Sequence, residues 1–390
     1  MAAPLRIALC AGEASGDLLG TDLIEALRAR APDAEIAGIG GPRMRAAGME
    51  TWWDASELSV MGLAEVLRHL PRLLRLRGAF RERVLAWKPD VYVGIDAPDF
   101  NLGVEKWLKA RGVRTVHDVS PSVWAWREER AQRIGESADR VLCLFPMEPA
   151  IYARHGVDAR FTGHPLADSM PRIPDRVAAR SALGLPGDAP ILALLPGSRL
   201  GEIARMLPVF LEAAKRVQAE IPALHVVIPA ADVRCREAID ARLQTAAFAP
   251  GTLHVIDGQA QQAMVTSDVV LLASGTAALE AMLAKRPMVV GHRIASLTYR
   301  FVTGLGMLKT AFVSLPNILA GRALVPERLQ DACTPEILAA DVMHWLRDQA
   351  AAGALESAFL AIHDELAHDA SARAAEAILE LAGTGQRAHD

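Results

Sequence analysis

Four cysteines in 390 residues (Cys10, Cys143, Cys235 and Cys333), far apart and never arranged as C-x-x-C, are too few for a disulfide framework and wrongly spaced for zinc. Cys10 and Cys143 sit within apolar strand-like runs, which makes core thiols in a reducing compartment the expected reading. No apolar run approaches the roughly 20 residues needed to cross a bilayer. The opening Met1-Ala2-Ala3-Pro4-Leu5-Arg6 leads straight into a strand pattern, without the long apolar stretch of a signal peptide. A cytosolic protein is therefore expected, free to lie against a membrane. There is no surplus of basic charge: 42 Lys and Arg stand against 46 Asp and Glu, a net of −4, so nucleic acid is not expected as a partner. No Asp-x-Asp and no His/Cys cluster with ligand spacing occurs, and no metal site is expected. G-x-G-x-x-G, a Walker lysine and the G-x-S-x-G elbow are missing too, and Ser15 in Gly12-Glu13-Ala14-Ser15-Gly16 has the wrong spacing for a nucleophile. Neither an internal repeat nor a low-complexity tract is visible.

What is present is an alternation of short apolar runs with amphipathic stretches. Hydrophobic content of 51% and charged content of 23% belong to a globular protein, and the length suits two to three domains. Strands are predicted at 7–11, 36–39, 91–95, 115–119, 141–145 and 160–162, then at 191–195, 224–229, 253–256, 269–273, 288–291 and 312–315. Helices are predicted between most of them, among them 202–219, 232–246, 261–266, 276–284 and 335–350. Such alternation predicts right-handed βαβ units and parallel sheets covered on both faces. The expected fold class is α/β, with two doubly wound Rossmann-like domains facing each other across a cleft: 1–168, a Pro-rich linker 169–190, 191–350, and a helical tail 351–390 packing back on the domains. In such sheets ligands bind beyond the C-terminal ends of the strands, so the loops there should carry the chemistry.

In the second half, Ile191–Leu195 breaks at Pro196-Gly197-Ser198-Arg199 and a helical pattern follows. A strand, a Gly turn and a helix start leave N–H groups converging beside a cation, which suits a phosphate or diphosphate; an ordinary βα turn with a solvated Arg199 is the competing reading. Val269–Ala273 repeats the pattern with Ser274-Gly275-Thr276, and Glu280 follows one turn into the next helix. There a carboxylate can accept from a ribose diol, or simply suit the helix dipole. Two such turns together favour a nucleotide-diphosphate site, and the charge of a departing diphosphate would be met by Arg199 and helix dipoles instead of Mg²⁺. In the first half, Gly94-Ile95-Asp96-Ala97-Pro98-Asp99-Phe100-Asn101 follows a strand, where a general base belongs. Asp96 is the candidate, while Asp99 is expected to cap a helix starting at Leu102. His117, His164 and His292 each follow or end a strand, and each is either a cleft residue or a core contact.

Residues 59–88 carry an apolar stripe (Val66, Leu67, Leu70, Leu73, Leu74) flanked by arginines, among them Arg72 and Arg75, with only Glu65 and Glu82 as acids. This suits an interfacial helix on anionic headgroups, or else an ordinary core helix with solvated arginines. Pro71 predicts two short helices rather than one. Trp124 and Trp126 suit a cleft wall or an acyl contact.

These strings, with Ser120-Pro121-Ser122-Val123-Trp124-Ala125-Trp126 and Val313–Arg322, resemble the lipid-A-disaccharide synthase family nearly end to end and in the right order. The resemblance implies a GT-B fold and an inverting, metal-independent glycosyltransferase with no cofactor. The donor would be UDP-2,3-diacylglucosamine and the acceptor 2,3-diacylglucosamine 1-phosphate (lipid X). Transfer to the acceptor 6-hydroxyl would give the β-1,6 lipid A disaccharide 1-phosphate and UDP. By the same resemblance Asp96 is the base, with Glu13 near the acceptor. Ser198, Arg199, Gly275, Thr276, Glu280 and Asn317 would surround UDP. The stripe at 59–88 would touch the inner face of the inner membrane, making the protein cytoplasmic and peripheral. Asp118 departs from the family pattern, which has an aromatic there, and offers a second carboxylate. Rival readings are another GT-B enzyme, such as a UDP-N-acetylglucosamine 2-epimerase or a soluble-acceptor transferase, and a non-catalytic sugar-nucleotide binder. The apolar stripe argues against a soluble acceptor, and the paired carboxylates Asp96 and Glu13 argue against pure binding. Whether the chain forms a homodimer is left open.

Overall fold

A computed structural model of the chain describes residues 4–58, 63–121, 123, 129–244, 247–273, 275–293 and 312–386, with the backbone alone at 63–69, 129 and 384–386. The chain divides into two compact units, one formed by residues up to Asp168 together with those from Glu365 onward, the other by Ser169–Asp364.

The first unit is built on seven parallel strands: β1 (Arg6–Ala11), β2 (Glu35–Gly40), β3 (Glu50–Asp54), β4 (Val91–Ile95), β5 (Arg114–Asp118), β6 (Arg140–Cys143) and β7 (Asp158–Phe161). Their order is β3-β2-β1-β4-β5-β6-β7. β1 is apolar at every position after Arg6 because both of its faces are covered. Ile7, Leu9 and Ala11 pack with Leu23, Ile24 and Leu27 of the helix Ala14–Arg30, and with Ala375 and Ile378 of the helix Ala370–Gln386. Ala8 and Cys10 face the other way, onto Phe80, Val84, Val104 and Leu108.

The second unit repeats the plan with β8 (Ile191–Leu195), β9 (His225–Ala230), β10 (Leu253–Asp257), β11 (Val269–Ala273), β12 (Met288–His292) and β13 (Glu327–Leu329). Their order is β10-β9-β8-β11-β12-β13, again all parallel. In both sheets the chain reverses its direction of winding next to the first strand: between β1 and β4, and between β8 and β11. A crevice opens at the strand C-termini at each such point.

Several expectations are corrected. Phe312–Leu315 is not a strand; a helix, Leu315–Ala320, starts there with Pro316 in its first turn. β3 and β13 escape the apolar pattern because they are edge strands, half-buried along most of their length. Pro71 lies inside one continuous helix, Leu63–Trp87. The ring forfeits one backbone bond, and burial of Leu76, Phe80 and Val84 further along holds the helix in place. Within 169–190 there is a helix, Arg176–Ala182, capped by Asp175 and bound into the second unit by Arg180, which donates to Asp268 at 2.9 Å. All four cysteines are buried free thiols. Among the described residues no helix is long and apolar enough to cross a membrane.

Candidate active site

At the β1/β4 switch point two loops meet. The first follows β1 with Gly12 and Glu13, where Glu13 is the residue preceding the helix Ala14–Arg30. The second follows β4 and turns sharply: Asp96 (φ 49°) and Ala97 (φ 44°) both adopt the left-handed conformation, which costs a non-glycine residue of order 1–3 kcal/mol. That strain persists because a buried side chain over-determines it. Asn101 Nδ2 donates to the carbonyls of Asp96 (2.8 Å), Cys10 (3.2 Å) and Ile95 (3.3 Å), while its Oδ1 accepts from the Tyr92 hydroxyl at 2.9 Å. The Asp96 N–H in turn donates to the Asp118 carbonyl at 2.9 Å. With its backbone pinned, the half-buried Asp96 carboxylate makes no hydrogen bond among the described residues. A carboxylate so held and unspent can accept a proton from a bound hydroxyl.

Asp99 is not the cap of a helix beginning at Leu102. The helix begins earlier, at Pro98, whose fixed φ suits the first helical position, and Ala97 precedes it. Asp99 therefore lies in the first turn. Asp96, Asp99 and Glu13 line one cavity of about 350 Å³, whose other wall is apolar: Leu58, Leu70, Leu73, Leu74 and Phe100, with Arg77. The helix Leu63–Trp87 thus divides in function. Its later half is core, whereas Leu70 and Leu74 are 42% and 47% exposed, too open for core residues. Arg72 and Arg75 are exposed alongside, Arg72 pairing with Glu57. The side chains of Val66 and Leu67, and Trp124 and Trp126 altogether, lie outside the described residues.

Behind the site the sheet carries buried charge, including two carboxylates, Glu105 and Glu148, that the sequence did not single out. His117 is not a cleft residue: its Nδ1 meets Glu105 Oε1 at 2.7 Å, both side chains wholly buried. Burial pushes the Glu105 carboxyl up. It pulls the His117 imidazole down, but the charge and hydrogen bond of Glu105, with the charges of Asp118 and Asp96, together outweigh this and leave His117 above its ordinary value. Gly94 is required here because a Cβ would run into the Glu105 carboxylate. Next along β5, burial raises the Asp118 carboxyl to about 6, with Asp96 adding to the effect and His117 opposing it. Glu148, buried after β6, is raised by burial to about 7; its Oε2 accepts from the Phe145 N–H at 3.0 Å. His164 packs on the Phe145 ring, centroids 5.4 Å apart, and burial lowers it to about 4. Burial likewise lowers the half-buried His292.

The β8/β11 switch point holds a second cavity, of about 620 Å³, lined by Gly197, Ser198, Arg199 and Glu202 on one side and Gly275, Thr276 and Glu280 on the other. Pro229, Ala230, Gly258, Gln259 and Met264 extend it. Gly197 (φ 122°) is demanded both by its conformation and by Glu202, which a Cβ would strike. The Glu202 carboxylate accepts from the Ser198 N–H (3.2 Å) and meets Arg199 at 3.3 Å, yet the Arg199 side chain stays 84% exposed and free to swing. Burial raises the Glu280 carboxyl, with a hydrogen bond from Gln261 opposing. Ser274 lies outside the described residues. Asn317 does not line this cavity. It is buried and saturated, donating to Val325 O and Glu327 Oε1 (both 2.9 Å) and accepting from Leu324 N (2.7 Å) and Val325 N (2.9 Å). Among the described residues no group of three or more His, Cys, Asp and Glu is arranged to hold a metal ion.

The sequence profile of the lipid-A-disaccharide synthetase family matches residues 7–378. The chain belongs to that family. It is 62% identical over 381 residues to the lipid-A-disaccharide synthase of Xanthomonas campestris pv. campestris (strain 8004), covering 98% of this chain and 87% of the relative. The chain is accordingly a glycosyltransferase. In fold it is similar to the glycosyltransferase of kitacinnamycin (TM-score 0.62, 20% identity, 97% of this chain and 100% of that one). It is similar also to the Neisseria meningitidis UDP-GlcNAc 2-epimerase bound to UDP-GlcNAc (TM-score 0.62, 11% identity, again 97% and 100%). These neighbours share the GT-B architecture. The family match favours neither an epimerase nor a non-catalytic binder.

Proposed function

We propose that the chain transfers 2,3-diacylglucosamine from UDP-2,3-diacylglucosamine to the 6-hydroxyl of 2,3-diacylglucosamine 1-phosphate, with inversion and without a metal. The observation that carries this reading is the cavity at the β1/β4 switch point, where carboxylates and an apolar wall line one space. A soluble acceptor needs no such wall; a diacylated sugar needs both. Asp96 takes the proton of the 6-hydroxyl as that oxygen attacks the anomeric carbon from the face opposite UDP. Glu13 orients the acceptor, Arg77 faces its 1-phosphate, and Leu70, Leu73 and Leu74 lie along its acyl chains. The bond to UDP breaks with its electron pair going to the diphosphate. Arg199 and the N–H groups of Ser198, Gly275 and Thr276 stabilise that charge, and Glu280 accepts from the ribose hydroxyls.

A lipid acceptor also gives the exposed Leu70 and Leu74, with Arg72 and Arg75 beside them, a role at the inner face of the inner membrane: aliphatic groups in the acyl region and guanidinium groups on anionic headgroups. The deciding assay incubates purified protein with both substrates in the presence of EDTA and follows disaccharide and UDP. Asp96→Ala is expected to abolish transfer while UDP affinity is kept. Full turnover in that variant would end the assignment of the base.

A further inference from the structure

The nucleotide cavity at the β8/β11 switch point carries an anion of its own. Its lining holds one cation, Arg199, against two acids, Glu202 and Glu280. Glu280 has a use in the ribose contact. Glu202 has none in the transfer, yet it sits on the groups that the diphosphate needs. Its Oε2 accepts from the exposed Ser198 N–H at 3.2 Å, and its Oε1 accepts from Arg199 at 3.3 Å. The turn makes room for it: a Cβ on Gly197 would come within 2.5 Å of Glu202 Cβ and Oε2, so the carboxylate keeps this seat only because glycine stands there.

The helix Leu200–Glu220 starts directly after Arg199, which puts Glu202 in its first turn. A glutamate there folds back onto the N–H groups ahead of the helix as a cap, and a glutamine serves that purpose as well. What a glutamine lacks is the charge, and the charge matters to a ligand that is itself a polyanion. UDP carries one more negative charge than a UDP-sugar near neutral pH, because its terminal phosphate has a second ionisation at about pH 6. A carboxylate in the cradle therefore opposes the product more strongly than the donor.

We propose that Glu202 competes with UDP for the cradle: it holds the Ser198 N–H and Arg199 until the diphosphate displaces it, and returns to them as UDP departs. The exchange needs no backbone movement. Rotation of the Glu202 side chain, 27% exposed, frees both donors, and the Arg199 side chain, 84% exposed, can follow the phosphate. Such a carboxylate weakens the hold of Arg199 and the N–H groups on the product and so speeds its release. The proposal rests on UDP occupying this cavity, as the proposed function has it.

The test is calorimetric titration of the full chain with UDP, with parent and variants side by side and melting followed to confirm the fold of each. Arg199→Gln checks the occupancy of the cavity and should weaken UDP about tenfold. Glu202→Gln keeps an acceptor for the Ser198 N–H and should bind UDP about tenfold more tightly, with a smaller gain for the donor. That gain should shrink between about 0.05 M and about 0.5 M salt, as an effect of charge must. Glu202→Ala, which removes acceptor and charge together, should tighten UDP as well, whereas loss of a cap alone would loosen the cradle and weaken it. In turnover, UDP should inhibit Glu202→Gln at about tenfold lower concentration than the parent. A UDP affinity untouched by Arg199→Gln overturns the cavity as the nucleotide site and the proposal with it. An affinity that falls in Arg199→Gln but does not rise in Glu202→Gln leaves the site standing and overturns the competitor.

Discussion

Removing the Asn101 side chain tests whether the site depends on a strained loop. Asn101 is fully buried, and its amide ties β1, β4 and the Asp96–Ala97 turn together through the Cys10, Ile95 and Asp96 carbonyls and the Tyr92 hydroxyl. Two N–H groups serve three carbonyls, so Asn101→Ala loses the equivalent of three to four bonds, about 3–4 kcal/mol at about 1 kcal/mol each. For a unit of this size about 2–4 °C of melting temperature goes with each kcal/mol, an expected fall of about 6–16 °C. Turnover should fall further than stability alone requires. The two left-handed residues relax once unpinned, and about 1 Å of misplacement at a reacting group costs about 10²-fold. Thermal melts, disaccharide formation and UDP binding separate the effects, because the nucleotide cavity belongs to the second unit and its affinity should be retained. Tyr92→Phe, which removes the hydroxyl from Asn101 Oδ1 and from the Cys10 thiol, should cost about 1–3 kcal/mol and leave turnover nearly whole. An Asn101→Ala protein that melts with the parent, or keeps its full rate, would falsify this account of the turn.

Two other outcomes follow from the same unit. Replacing Leu70, Leu73 and Leu74 by serine should release the protein from anionic vesicles while raising its melting temperature or leaving it unchanged, because Leu70 and Leu74 are largely exposed; vesicle binding that survives means that the face is not the contact. Asp118 and Glu148 are raised by burial from 3.8 and 4.5 to about 6 and about 7. Between those limits the folded chain keeps protons that the unfolded chain has released, so stability falls as pH rises from about 4 to about 7. Asp118→Asn and Glu148→Gln should therefore melt above the parent at about pH 8 and lose that advantage at about pH 4, a difference read directly from melts at the two values.

Buried parallel strands announce themselves as apolar runs, so β4, β8 and β11 were legible to the residue, and with them the loops that hold Asp96, Ser198 and Gly275. β3 and β13 were not, because an edge strand such as Glu327–Leu329 has no apolar face to declare. The anchoring role of Asn101 was hidden for another reason. It is exerted on Cys10, ninety-one positions away, and no local pattern encodes that distance. Asn317 is a different case: only the family resemblance set it beside UDP, and the 324–327 segment returns to occupy every group of its amide. Pro71 misled because a proline is read locally, whereas the helix around it is held by Leu76, Phe80 and Val84 at a distance from the ring.

The helix Ala370–Gln386 completes the core of the first unit through Ala375 and Ile378, and Asp168 caps it by accepting from Asp369 N (2.9 Å) and Ala370 N (2.7 Å). During synthesis β1–β7 leave the ribosome some two hundred positions ahead of that helix. At about 5–20 residues per second, they wait of order ten seconds or more with Ile7, Leu9 and Val93 lacking that cover. The second unit, continuous in sequence, has no such wait. The part of the chain made first is thus the part finished last, and its exposed apolar face is the one a chaperone would meet.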